Sequence, residues 1–471
     1  MNFLDYIDDF DKHTFKPKSE TTTKFKIKDI FKDNWHNFLE DNPHLNIRQV
    51  VKDEVEKMIN CGSQANGFAV YTCDNCSNYL YVPFTCKSRF CPSCGTKYTL
   101  DRADTISSKC INCPHRHITF TIHQELWPLF RKDRTLLDVL FKAVSSTILS
   151  WFYDKNHKEN FTPGFISTLH TFGRDLKWHP HIHVLITEGA SGNITVWKKV
   201  DHFPFTMLRS RFQTTLLSLL EKKIGKKKFA PLKAKVYQTS QNGFYVHAPK
   251  KYAQDIKSTV KYVIRYSGKP AMAQSRITDY DGEYVTFWYD RHEDNEHVTE
   301  RIHVYEFFKR LIIHIPEKHF NLVRYYGLYA KHHKHENKII RMVKFHVAKF
   351  RKTLKNWECR LGIYFNEYPL TCSCCGHKLH FDYCLYKEYN TSWLGVIILR
   401  KVKASKEMTE FVCTKCGIHE LIPTDVVTFL DANDPGDPTF PPMFDCEKCD
   451  GKMRPVYFVG HTGIVYTYNK D

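Results

Sequence analysis

Cysteine pairs, a run of alternating histidines and two tyrosines one helical turn apart are the residues in this chain whose types and spacing can do chemistry. Six Cys-x-x-Cys pairs occur, at Cys73/Cys76, Cys91/Cys94, Cys110/Cys113, Cys372/Cys375, Cys413/Cys416 and Cys446/Cys449. Two thiolates offered from one tight turn are half of a tetrahedral zinc site. Cys73/Cys76 and Cys91/Cys94 are separated by fourteen residues, which suits a four-cysteine zinc ribbon. Cys61 and Cys86 read as small buried hydrophobes, with alternative ligands for that ribbon or members of a second site as the competing readings. Cys110/Cys113 is a weaker pair, because it runs directly into a strand. Near the other end, Cys413/Cys416 with Cys446/Cys449 makes one ribbon, or Cys372/Cys375 takes Cys413/Cys416 instead. His377, His380 and Cys384 are spare ligands there. At least one structural zinc is expected in that region, with its pairing open.

The segment TLHTFGRDLKWHPHIHVLITEG holds His179, His181 and His183. Positions two apart on a strand face the same side, so His181 and His183 can point at one metal ion. Ile182, Val184 and Ile186 would bury the other face. His170, on the preceding strand across a turn near residue 175, can complete a three-ligand site; His179 competes for that place. The bland alternative is a surface strand with chance histidines, since the chain has 26. A helical His-Glu-x-x-His of a zinc hydrolase does not occur.

The segment KYVIRYSGKP puts Tyr262 and Tyr266 four apart, on one face of a helix. A tyrosine hydroxyl can attack a phosphodiester and hold the phosphate covalently, so the strand can be rejoined without ATP. A divalent ion on His181 and His183 would polarise that phosphate. Lys261, Arg265 and Lys269 lie near enough to hold the backbone. Against this stands the ordinary reading of a tyrosine pair as core or half-buried surface.

The elements that must position these groups alternate in type. Helical spacing of apolar residues runs through about 28–60. HRHITFTIHQ (115–124) reads as a strand and LLDVLFKAVSSTILSWFYDK as a helix. FISTLHTF and HIHVLITEG read as strands around the polar turn GRDLKWHP. FTMLRSRFQTTLLSLLEKKIG is an amphipathic helix, followed by the basic turn KKKF. KAKVYQ and NGFYVHA read as a hairpin, DIKSTVKYVIRYSG as a helix, EYVTFWYD and HVTERIHV as strands, and VYEFFKRLIIHIP as a helix. Antiparallel hairpins with interleaved helices predict an α+β sandwich rather than a parallel doubly wound sheet.

Composition narrows the class. Of 471 residues, 42% are hydrophobic, enough for real cores, and length allows two to four domains. Lys and Arg outnumber Asp and Glu by 69 to 51, for a net charge of +18. That balance favours a polyanionic partner through counterion release. No apolar stretch of spanning length is read, and the N-terminus lacks a signal core. The expectation is therefore no membrane association, a cytoplasmic protein, and metal binding rather than disulfides for the seventeen cysteines. No cysteine lies between Cys113 and Cys359, which marks the middle as a separate domain. The boundaries expected are a helical arm over 1–55, a zinc-binding domain over 56–105, a catalytic domain over 112–345 and a cysteine-rich zinc-binding region over 355–471.

Taken in order, CDNC…FTCKSRFCPSCG, HRHITFTI, LHTFGRDLKWHPHIHVLITEG, YVIRYSGKPAMAQSRI, VTFWYD and FFKRLIIHIPEKHFNLVRYYGLYA resemble the HUH superfamily of single-strand DNA nucleases. More closely, they resemble the two-tyrosine transposases of rolling-circle insertion sequences. The resemblance covers about residues 30–380. It implies a ferredoxin-like core with a central antiparallel sheet; the cysteine spacing adds flanking N- and C-terminal zinc-ribbon modules. It implies His181 and His183 as ligands of Mg²⁺ or Mn²⁺, and Tyr262 and Tyr266 as paired nucleophiles forming 5′-phosphotyrosine intermediates on single-stranded DNA at element ends. Cys61 through Cys94 correspond to the family's zinc-binding domain. The extension after residue 400 is not assigned by the resemblance. A rolling-circle replication initiator or relaxase shares the chemistry, but no P-loop is present here. A zinc-ribbon regulator without catalysis accounts for the charge and the cysteines and leaves the histidine strand unexplained.

Overall fold

The computed structural model describes residues 24–63, 66–107, 110–111, 113–200, 202–247, 271–291, 294–330, 368–385, 408–433, 441–446, 448–449, 451–460 and 464–468. Tyr262, Tyr266, Lys261, Arg265 and Lys269 lie outside them, as does the whole of the expected helix DIKSTVKYVIRYSG. The chain divides into two compact units. One comprises Phe15–Asn66 with Pro83–Pro369; the other has Gly67–Val82 with Leu370–Asp471. These units cut across the boundaries expected from sequence, because a short piece of the expected 56–105 domain joins the C-terminal region.

Helix α1 (Ile27–Asp41) buries Ile27, Ile30, Phe31, Trp35 and Phe38, a three-and-four spacing that makes one apolar stripe. Helix α2 (Gln49–Ile59) does the same with Val51, Val55 and Met58. Strands β1 (Phe68–Cys73) and β2 (Tyr79–Pro83) follow, then helix α3 (Pro92–Ser107). Next comes β3 (His115–Thr121), helix α4 (Trp127–Lys132), helix α5 (Leu136–Lys155) and the long hairpin of β4 (Thr162–Phe172) and β5 (Trp178–Ser191), with the two-residue β6 (Lys198–Lys199) beyond. Helices α6 (Phe205–Ile224) and α7 (Lys226–Thr239) lead to β7 (Val246–His247). The sheet runs β11-β4-β5-β3-β7, where β11 is Val323–Gly327, and β6 pairs with β5. Every pairing in it is antiparallel. Its core therefore has a β-α-β-β-α-β succession, β3-α5-β4-β5-α6-β7, with α4, the short β6 and α7 inserted, and spatial order β4-β5-β3-β7.

The two faces of this sheet differ. Ile118, Phe120, Phe165, Leu169, Ile182, Val184 and Ile186 pack against α5 and α6 in one cluster. Phe120 meets Phe212 of α6 edge-on at 5.1 Å. Among the described residues, α5 is the one helix long and apolar enough to cross a membrane, yet 61% of its most apolar window is buried inside the protein. Leu140, Phe141, Val144, Ile148 and Phe152 explain its apolar composition as core packing. On the opposite face Ile166 and Leu185 are covered by Ile106, Ile111, Leu328 and Tyr329. The hairpin end of that face holds the histidines.

KAKVYQ is not a strand. It belongs to α7, whose Phe229 and Val236, seven apart, enter the same core as α6. Burial of that stripe overrides the strand preference of Val236 and Tyr237. A second sheet, β8-β9-β10 (Ile277–Tyr280, Tyr284–Asp290, His297–His303), packs with helix α8 (Val304–Ile312) against α1 and α2. Phe31 stacks on Phe308 with ring centroids 4.0 Å apart.

In the other unit, β1 pairs antiparallel with β12 (Leu379–Leu385) and lies beside β2. A four-stranded sheet has the order β14-β13-β16-β15, from His419–Pro423, Met408–Cys413, Lys452–Pro455 and Phe444–Asp445. Helix α9 (Thr424–Asn433) and the hairpin of β17 (Tyr457–Val459) and β18 (Val465–Thr467) complete it.

Candidate metal centres and active site

Strand alternation places His179, His181 and His183 on the face of the central strand β5 that points away from α5 and α6. The register sets His170 of β4 opposite His181, and Thr168 opposite His183. One ligand nitrogen from each of His170, His181 and His183 lies within 4.8 Å of the others. His181 Nδ1 is 2.7 Å from the carbonyl oxygen of His179. Only an N–H can pair with a carbonyl, so Nδ1 carries the proton and Nε2 keeps its lone pair. That Nε2 is 3.1 Å from His183 Nε2. Two nitrogens bound at right angles to one ion at ~2.1 Å would stand about 3 Å apart, so the arrangement fits chelation.

Burial first, and then the neighbouring His170, pull His181 down to about 3. The same two causes hold His183 well below the ordinary imidazole range. Both rings are therefore neutral at pH 7, the form that binds metal. His179 is not one of the converging ligands; its ring packs between Trp127 and His181, with centroids 4.7 and 5.1 Å away.

Sequence reasoning missed a fourth imidazole. His117 on β3 shares the face, and its Nε2 lies 2.9 Å from His183 Nδ1. Thr119 Oγ1 is 3.0 Å from the same His117 nitrogen and 3.3 Å from His183 Nδ1. Burial, with smaller contributions from His247 and His170, lowers His117 to about 4. With His183 Nε2 on an ion, Nδ1 would carry the ring proton and a neutral His117 would accept it, the usual task of a group behind a ligand. The available signal was the alternation His117-x-Thr119 in the expected strand HRHITFTIHQ.

The cysteines gather in three sets. Cys61, Cys86, Cys91 and Cys94 form one; Cys73, Cys76, Cys372 and Cys375 a second; Cys413, Cys416, Cys446 and Cys449 a third. Sulfur contacts within them are 3.5–3.7 Å. The expected ribbon of Cys73/Cys76 with Cys91/Cys94 is thus not brought together. Its physical reason is the β1–β12 pairing, which sets Cys73 opposite Leu379 and so delivers the Cys73 turn to the Cys372 turn. Cys61 and Cys86, read as buried hydrophobes, join Cys91 and Cys94 instead. Cys413/Cys416 and Cys446/Cys449 do come together, and Cys372/Cys375 does not join them. His377, His380, Cys384, Cys110 and Cys113 belong to no metal-ligating set among the described residues.

Three of these turns repeat one geometry. The N–H of Ser77, Gly376 and Gly417 donates to the carbonyl of Cys73, Cys372 and Cys413 at 2.9, 2.9 and 3.0 Å. All three residues are left-handed, with φ of 56°, 72° and 73°. A Cβ at Gly376 or Gly417 would meet nothing within 4 Å, so glycine serves the backbone there, not space. Amides in such a turn also favour the thiolate: the Cys416 and Lys415 N–H groups, each 3.4 Å from Cys413 Sγ, help hold that thiol down to about 6.

Comparison with known proteins agrees with this layout. A family model described as "Putative transposase" matches residues 164–337, and one described as "Transposase zinc-binding domain" matches residues 30–122. The chain is 31% identical over 328 residues to the transposase for insertion sequence element IS801 of Pseudomonas savastanoi pv. phaseolicola, spanning 66% of this chain and 78% of that protein. The chain belongs to the IS91 family of rolling-circle transposases. This transposase is also 26% identical over 297 residues to "Putative transposase y4qJ" of Sinorhizobium fredii (strain NBRC 101917 / NGR234), across 59% of the chain and 73% of that relative. No solved structure matches it. As a transposase it is an enzyme of DNA strand cleavage and transfer, its substrate is DNA, and its zinc-binding domain carries structural Zn²⁺.

Proposed function

We propose that the transposase nicks and rejoins single-stranded DNA through 5′-phosphotyrosine intermediates, using Mg²⁺ or Mn²⁺ held by His181, His183 and His170. The observation that carries this reading is the convergence of three imidazole nitrogens within 4.8 Å on the face of an antiparallel sheet that points away from α5 and α6. The β-α-β-β-α-β succession and the order β4-β5-β3-β7 are those of a ferredoxin-like core and support that assignment. Three nitrogen donors suit Mn²⁺ better than Mg²⁺, which prefers oxygen; phosphate and water oxygens would fill the remaining positions. When bound, the ion polarises the scissile phosphate. Tyr262 or Tyr266 supplies the attacking oxygen. The phosphorus exchanges its bond to the 3′ oxygen for one to the tyrosine oxygen, and the released 3′ oxygen takes a proton. Resealing is the reverse step, so no ATP is needed. Lys261, Arg265 and Lys269, close in sequence, hold the backbone.

A labelled single strand carrying an element end, incubated with full-length protein and Mn²⁺, gives a band that migrates with the protein under denaturing conditions. EDTA or a blunt duplex of the same sequence removes it. An adduct that forms equally with EDTA, or equally on duplex, overturns the reading.

The three cysteine sets are proposed as three tetrahedral zinc sites, each with four thiolate ligands. The second is discontinuous, closing residues 67–82 onto residues 370–385. Metal analysis then finds three zinc ions per chain, one per set. Cys73→Ser/Cys76→Ser and Cys372→Ser/Cys375→Ser each lose one, and the quadruple variant loses that same ion and no other. Loss of two from the quadruple variant would show separate sites.

A further inference from the structure

A groove of about 1190 Å³ opens between the loop joining α1 to α2, the α4–α5 turn and the segment following α8. Its walls carry seven lysine and arginine side chains against three carboxylates. Those carboxylates are already engaged. Glu317 pairs with Arg48, Asp138 pairs with Arg324, and Asp133 accepts from the N–H and hydroxyl of Thr135 at 3.0 and 2.7 Å. Arg131, Lys132, Lys309 and Lys318 line the groove, all exposed, with no ion pair among the described residues.

One arginine is built into the structure. Arg134 donates to the Ile313 carbonyl at 2.5 Å and lies over the ring of Trp178 at 4.8 Å. Burial and the neighbouring Arg48 hold its guanidinium down to about 10, against the opposing pull of Glu317. Phe320 is half-buried in the wall, its ring 5.3 Å from the Arg324 guanidinium, beside apolar surface from Leu45 and Ile47. Cations flanking an aromatic ring match phosphates alternating with exposed bases, the pattern of a single strand. Duplex DNA keeps its bases stacked inside and would use the cations alone.

The groove lies at the same end of the sheet as the histidines. Trp178 begins β5 and precedes His181 by three residues, about 10 Å along an extended strand. We propose that this groove binds a single DNA strand beyond the scissile phosphate, its free cations taking the backbone and Phe320 stacking on a base. The inference rests on DNA as the substrate and is independent of the proposed metal centre. The convex basic helix α7 is a poorer candidate, since Lys233 and Lys235 are paired with Glu221 and Glu125.

The test is fluorescence anisotropy without added Mg²⁺ or Mn²⁺, with full-length zinc-loaded protein, labelled oligo(dT) and the matching blunt duplex across a KCl series. Each single-strand phosphate contact contributes about 0.7 to the salt slope. Lys132→Glu/Lys309→Glu should therefore flatten the slope by about 1.4 and weaken oligo(dT) binding roughly tenfold at low salt. Phe320→Leu should weaken oligo(dT) about fivefold and leave duplex binding unchanged. The control Lys226→Glu/Lys227→Glu makes the same charge change on exposed α7 and should leave the slope unaltered. An equal loss in that control, an unchanged slope in the groove variant, or a Phe320→Leu defect equal on duplex each overturns the proposal.

Discussion

Alanine at His181 or His183 lowers single-turnover cleavage of a labelled single strand by about a thousandfold or more, while anisotropy shows nearly unchanged DNA affinity. Polarising the phosphate at such a centre contributes several kcal/mol to the transition state, and about 4 kcal/mol is a thousandfold in rate. Affinity comes from cations along the backbone, which these variants leave in place. His181 and His183 are already neutral through burial and the neighbouring His170, so the substitution removes ligands and no charge. His117→Ala behaves differently. Its ring only orients His183 through the 2.9 Å contact, so the Mn²⁺ concentration for half-maximal cleavage rises about 10–100-fold and saturating Mn²⁺ restores most of the rate. Cleavage that survives in both His181→Ala and His183→Ala places the metal elsewhere. A His117→Ala defect that Mn²⁺ does not rescue assigns that residue a direct part in the reaction.

The Tyr262→Phe/Tyr266→Phe double variant forms no covalent DNA adduct, whereas each single variant still forms one on a short oligonucleotide. Phenylalanine keeps the ring, so a defect reports the hydroxyl rather than folding. Either oxygen can attack a lone scissile phosphate when the two are one helical turn, about 5.4 Å, apart. A full transposition cycle needs a second strand transfer while the first adduct is held, so both single variants fail in a cellular transposition assay. An adduct from the double variant identifies another nucleophile, with Tyr245 and Tyr252 the next to replace. Full transposition by one single variant means that its missing hydroxyl is structural and that one tyrosine serves both transfers.

Local pattern made much of the catalytic unit legible. Alternation in HIHVLITEG set the histidines against a buried Ile182-Val184-Ile186 face, because a strand's period of two is a property of the backbone. The stripes of α1, α5 and α6 were readable for the same kind of reason, as was the knuckle character of each Cys-x-x-Cys turn. KAKVYQ failed as a strand because its preference was weak beside the burial of Phe229 and Val236. His117 was overlooked because its role depends on strand register, which puts Thr119 opposite His183. By itself, then, the sequence determined the kinds of chemistry present: metal-binding imidazoles on one strand face, thiolate pairs in tight turns, and a basic chain suited to DNA. Tertiary structure alone decided the partners. Cys73 meets Cys375 across 302 positions because β1 and β12 pair, and Cys61 meets Cys94 because the chain returns upon α2. Spacing along a chain reports only neighbours within a turn or a strand, whereas a four-thiolate site depends on which distant segments fold against each other.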